Sequence, residues 1–132
     1  MSRLVIGLGF RAQATAQSIG EVLSRAVAQA AMPDAATVLA VVADKAAHPV
    51  LLAAVRASQF PVETVTADAM READARIATR SERVLRQRGV GSVCEATALA
   101  AAGVSARLVV TRIVSADRTA TAAAAVTEGA TP

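Results

Sequence analysis

The sequence predicts an α/β protein: a single three-layer α/β/α domain around a mixed, mostly parallel sheet of about five strands, with the last strand antiparallel. Three observations predict it. Short runs of strand formers alternate with segments of helical period over most of the chain. Two final strand-like runs flank a short polar turn, the pattern of an antiparallel hairpin. The 132 residues suffice for one compact core and fall short of two ordinary domains. The expected domain covers residues 1–126, with 127–132 a frayed tail.

Leu4-Val5-Ile6-Gly7-Leu8 is a run of strand formers, and Gly9 with the polar Arg11-Ala12-Gln13-Ala14-Thr15 reads as a loop and helix start. Ile19, Val22, Leu23, Ala26, Val27 and Ala30 then recur at the helical period, with Pro33-Asp34 just beyond. Residues 37–42 are β-branched and apolar. Because a helix joins them to the first strand, they read as a buried parallel strand, which completes a βαβ unit. A polar loop, Ala43-Asp44-Lys45-Ala46-Ala47-His48-Pro49, leads to a helix through Leu52 and Val55, with Pro49 in its first turn.

Residues 60–65 form a third strand, placed at an edge by Pro61. Residues 66–74 begin a helical turn and 79–88 a further helix. Six arginines between positions 70 and 88 face three acids, a pattern that reads as a solvated surface. A helix from about position 92 ends at Gly103, a natural cap. Residues 106–111 are a strand around Leu108-Val109-Val110. The chain then turns through Ile113-Val114-Ser115-Ala116-Asp117-Arg118, and 119–126 returns antiparallel.

Hydrophobic residues make up 54% of the chain, yet alanine supplies 34 of them, while Phe totals two and Tyr and Trp are absent. The core therefore depends on close helix-on-sheet approach through alanine, with Val, Leu and Ile filling the sheet face. No run of about 20 uncharged apolar residues spans a membrane, and no leader pattern opens the chain. The formal charge is +3, and 13 of the 14 basic residues are arginine, Lys45 being the exception. Guanidinium forks suit carboxylates and phosphates. Nucleic acid is disfavoured because no aromatics lie among the charges to stack bases. The lone Cys94 excludes an intrachain disulfide or a cysteine metal cluster and fits a reducing cytoplasm; no metal and no cofactor is expected.

The most informative stretch is Gly89-Val90-Gly91-Ser92-Val93-Cys94-Glu95-Ala96-Thr97-Ala98-Leu99. The glycines allow a tight turn, and Ser92 with Glu95 fits an S-x-x-E capping box. Backbone N–H groups at Val93 and Cys94 would then point outward, where donors and dipole favour an anion. A capped structural helix accounts for the same spacing.

Together with Gly7-Leu8-Gly9-Phe10-Arg11 after the first strand, Lys45 four residues before Pro49, and the terminal Thr119-Ala120-Thr121-Ala122, this stretch resembles the CobE family, which is similar to the C-terminal domain of CbiG. The resemblance spans nearly the whole chain in order. Phe10 stands where the family's first loop carries cysteine, Ala12 where it carries a second arginine, and His48 where its K-x-x-E-P motif carries glutamate. The resemblance implies a role at the corrin-ring stage of cobalamin biosynthesis. The partner is then a corrin or precorrin intermediate, with another pathway enzyme as a second expected partner. In CbiG-type proteins the reaction is hydrolytic opening of a precorrin lactone.

A corrin precursor is a broad macrocycle fringed with carboxylates. In an open α/β sheet the loops at the carboxyl ends of the strands gather on one edge. The expected ligand-binding residues are therefore Gly7, Gly9, Arg11, Lys45, Gly91, Ser92, Val93 and Cys94. Lys45, His48 and Glu95 are the catalytic candidates should the protein be a hydrolase. Each has a plainer reading: a loop arginine for Arg11, a solvated lysine, a capping His48, a buried small hydrophobe for Cys94, and the capping box for Glu95. A carrier or binding role is preferred over lactone hydrolysis because no nucleophile, base and metal set is evident. A rival from another class is nucleotide binding, since Gly7-x-Gly9-x-x-Ala12 satisfies the relaxed dinucleotide fingerprint. The alanine-rich last strand could be an exposed edge that pairs with a second copy as a homodimer.

Overall fold

The computed structural model describes residues 2–78 and 92–128. Gly89, Gly91, the helix expected over 79–88 with its arginines, and residues 129–132 lie outside the described residues. In chain order the elements are β1 (Ser2–Phe10), α1 (Ala16–Ala30), β2 (Ala36–Val42), α2 (Pro49–Ser58), β3 (Val62–Val65), α3 (Ala67–Glu72), α4 (Val93–Ala102), β4 (Arg107–Val114) and β5 (Ala120–Glu128). Short 3-10 turns at Ala43–Lys45 and Ala73–Arg76 follow β2 and α3.

The strands form one five-stranded sheet in the order β3-β2-β1-β5-β4. β1, β2 and β3 pair in parallel, and β5 runs antiparallel to both β1 and β4. The sheet is thus mixed with one reversed strand, as the sequence predicts. Two apolar layers cover it. One joins α1 and α2 to Leu4, Ile6, Leu8 and Ala120, Ala122 and Ala124; the other joins α3 and α4 to Val5, Ala40, Val42 and Ala125. Successive side chains on β1 and β5 therefore serve opposite layers, the alternation a strand imposes.

The caps explain the helix limits. Thr15 accepts from the Ser18 amide to open α1, and Ala31 in the left-handed region closes it. Thr66 opens α3 in the same way. At the far end of α4, Arg3 donates to the Ala101 carbonyl at 3.0 Å and Thr127 to the Ala102 carbonyl at 2.5 Å.

Three expectations are corrected. β5 is not an exposed edge: it lies between β1 and β4, and Ala122 through Ala125 are fully buried. The run Ala122-Ala123-Ala124-Ala125 carries no polar face, and that is the composition a strand covered on both faces tolerates. The edges are β3 and β4. β5 also continues through Thr127 and Glu128, because Ser2 and Arg3 still pair with them, so these two residues belong to the sheet rather than to a tail. Finally, β4 runs three residues past 111. Register shifts between Leu108 and Ile113 place an irregularity that carries the strand on, and local period-2 reading does not anticipate it.

Candidate functional site

The carboxyl ends of β1 and β2, the start of β5 and the start of α4 meet on one edge of the sheet. Glycine makes the meeting close. A Cβ built on Gly7 would stand 2.1 Å from the Cys94 carbonyl oxygen and 2.6 Å from the Ala98 nitrogen. On Gly9 it would stand 2.8 Å from Thr121 Oγ1 and 3.5 Å from Val93 Cγ1. Both glycines lie inside β1, not in a turn beyond it, and α1 starts only at Ala16. The dinucleotide fingerprint requires a glycine turn running straight into a helix, so Gly7 and Gly9 are spent on admitting α4 instead.

The loops after β1 and β2 are tied together beside this contact. Lys45 Nζ donates to the Phe10 carbonyl at 3.1 Å and stands 4.9 Å from the Phe10 ring centre, a cation–π arrangement. The His48 ring meets the same phenyl edge-on at 5.2 Å. His48 is the N-cap of α2, its Nδ1 accepting from the Val50 amide at 3.2 Å. In that tautomer Nε2 carries the proton and is a donor, not a base. Arg11 is exposed, and its backbone amide donates to the Thr119 carbonyl at 2.8 Å, so the loop after β1 is fastened to the strand start beside it.

The start of α4 differs from its expected form. Ser92 is the N-cap residue, but its side chain makes no capping bond; its Oγ lies 3.6 Å from Cys94 Sγ. Ser92, Cys94 and Glu95 are fully buried and only Val93 is partly open, so the outward-facing end expected at Cys94 is covered. Burial pushes the Cys94 thiol up to about 11, outweighing hydrogen bonds from Ser92 and Thr121 that act the other way.

Glu95 does not complete a capping box. Its Oε1 accepts from the Ala78 amide at 2.7 Å and its Oε2 from the Arg112 amide at 2.8 Å. One buried carboxylate thus ties α4 to the chain after α3 and to the irregular stretch of β4. The capping alternative loses because the two amides give the carboxylate a charge-assisted hydrogen bond at each oxygen, where a capping box offers one.

Sequence reading placed the β4–β5 turn but gave Asp117 no part in it. Asp117 there accepts from Ser115 Oγ at 2.6 Å, Ser18 Oγ at 2.5 Å and Thr119 Oγ1 at 2.7 Å, which hold its carboxyl well below the usual range. The turn is thereby locked to the first turn of α1. The pattern Ser115-x-Asp117-x-Thr119 was a legible signal for such a turn. Among the described residues no group of three or more His, Cys, Asp or Glu could hold a metal ion, and no helix is long and apolar enough to cross a membrane.

The fold and this edge define a class: an α/β domain in which helix α4 starts over a glycine-thinned first strand, beside loops carrying basic side chains. Residues 4–125 match the family described as "Cobalamin synthesis G C-terminus". The chain is 34% identical over 118 residues to Protein CobE from Sinorhizobium sp., covering 89% of this chain and 77% of that protein. It superposes on the crystal structure of CobE, a protein from the cobalamin (vitamin B12) biosynthetic pathway, with a TM-score of 0.84 at 25% identity, covering 98% of this chain and 94% of that one. The crystal structure of the cobalamin biosynthesis protein chiG from Agrobacterium tumefaciens matches at 33% identity with a TM-score of 0.71, over 96% and 99% of the two chains. The chain belongs to the CobE/CbiG C-terminal family of cobalamin biosynthesis proteins.

Proposed function

We propose that the protein binds or carries a precorrin or hydrogenobyrinic-acid-type intermediate at the corrin-ring stage, holding the macrocycle by its peripheral carboxylates. The observation that carries this reading is the meeting of Arg11, Lys45 and the start of α4 on one sheet edge, with Phe10 as apolar surface between the two loops. Arg11 supplies a guanidinium fork, and Lys45, anchored through Phe10, supplies a second cation. Val93 lines the rim. Gly7, Gly9, Ser92 and Cys94 shape it from beneath, and Gly91 adjoins Ser92 in the chain. The ligand reaches this edge in the cytoplasm, where a lone buried thiol is at home.

The side-chain chemistry supports carriage over lactone hydrolysis. Both Glu95 oxygens accept from backbone amides, and His48 Nδ1 accepts from Val50, so neither group is poised to take a proton from water. The test is an absorbance-monitored titration with hydrogenobyrinic acid and with a late precorrin, repeated on Arg11→Ala and Lys45→Ala. Saturable binding with unchanged ligand mass, weakened by both substitutions, is expected. Release of a two-carbon aldehyde would make the protein a hydrolase, and no binding to either compound would overturn the corrin reading.

A further inference from the structure

The β4–β5 turn presents a second arginine to the same edge. Arg118 is exposed and adopts φ 64°, the left-handed region in which glycine is at ease and a side chain is strained. Among the described residues the other two non-glycine positions with positive φ, Ala31 and Gln59, both terminate helices. Arg118 instead sits in a hairpin closed by bonds from its own amide to the Ser115 carbonyl and from the Ser115 amide to the Ala120 carbonyl, each 2.9 Å. Glycine or asparagine is the usual choice there.

The position is next to Arg11. Phe10 pairs with Ala120, and the Arg11 amide then donates to the Thr119 carbonyl, so one further step along each chain brings the Arg11 loop beside Arg118. The nearest acid in sequence, Asp117, is satisfied by three hydroxyls. Neither Arg11 nor Arg118 enters an ion pair among the described residues. Two unneutralised guanidiniums therefore share a rim, one of them on a turn that its neighbours make rigid.

The geometry points to Arg118 as a second carboxylate-binding residue, taking a peripheral acetate or propionate group of the ligand while Arg11 takes another. This rests on the corrin reading above. The strained backbone is then the cost of placing a guanidinium where a turn would favour glycine.

Arg118→Gly tests it, because that change relieves the strain while deleting the fork. The variant and the parent protein are unfolded in urea, then titrated with hydrogenobyrinic acid and with its fully amidated analogue at low and high salt. The expected result is unchanged or higher stability, a Kd for the acid raised about tenfold, a flatter salt dependence, and no change toward the amide. Parent-like binding of the acid by Arg118→Gly, with the parent binding normally, would overturn the role of Arg118 and leave the corrin reading standing. Failure of the parent to bind either compound would overturn both.

Discussion

Gly7 lies directly beneath the Cys94 carbonyl, at a distance that leaves no room for a methyl group between strand and helix: a Cβ there would stand 2.1 Å from the oxygen. The backbone of α4 rests on the backbone of β1, and the alanines of β5 continue the low floor beside it. In a core almost without aromatics, such close approach supplies the packing density that large side chains supply elsewhere.

Gly7→Ala should therefore destabilise the fold by about 3 kcal/mol, since the clash is with main-chain atoms that cannot rotate away. The entropy gained by replacing a strand glycine, about 0.5–1 kcal/mol, does not offset it. Gly9→Ala should cost only about 1 kcal/mol, because its nearest atom is the rotatable Thr121 hydroxyl. Urea midpoints of the two variants check the order; equal midpoints would refute the difference.

That contrast also marks what was legible in the sequence. The α1 helix, the βαβ opening and the final hairpin follow from local period and turn chemistry, and the structure has all three. The helix from Val93 to Gly103 was legible for the same reason. The partners of Glu95 were not. Ser92 and Glu95 satisfy a local capping pattern, while the amides that claim the carboxylate lie 17 residues away on either side. The placement of β5 was hidden as well, since a run of alanines has no polar face from which to read which neighbours it takes. The use of Gly7 and Gly9 was hidden too, because it depends on a helix some 90 residues further on.

Glu95→Gln should cost about 1–3 kcal/mol: a side-chain amide offers one acceptor oxygen, so either the Ala78 or the Arg112 amide loses its partner. Glu95→Ala removes both and should cost roughly twice as much. Amide hydrogen exchange should quicken at both Ala78 and Arg112 in Glu95→Ala and at only one of them in Glu95→Gln. Unchanged protection at both sites would show that the carboxylate does not tie these segments.

Acid should loosen the turn that Asp117 holds. Its carboxyl is depressed below the ordinary value of 3.8 by hydrogen bonds from Ser115, Ser18 and Thr119. Because the folded form binds its proton less readily, this contribution is whole above about pH 4 and is lost as pH falls further toward the folded value. Asp117→Asn should remove that part of the acid sensitivity. Thermal unfolding of both proteins between pH 2 and 6 reads it out, and parallel curves would count against the mechanism.

Cys94 works in the opposite sense, at alkaline pH. Its folded thiol titrates at about 11 against an ordinary 9.0, because a thiolate between α4 and the sheet would be cut off from water. Above about pH 9 the unfolded chain gives up this proton and the folded chain keeps it, so the unfolded state binds fewer protons and stability falls as pH rises. Cys94→Ala should abolish that slope while costing packing of its own. In the native protein at pH 8 a thiol-specific reagent should label Cys94 only as fast as the fold opens, and urea should accelerate labelling in step with the unfolded fraction. Prompt labelling of the folded protein would mean that the α4 start is open to solvent at Cys94, and the burial argument would fail with it.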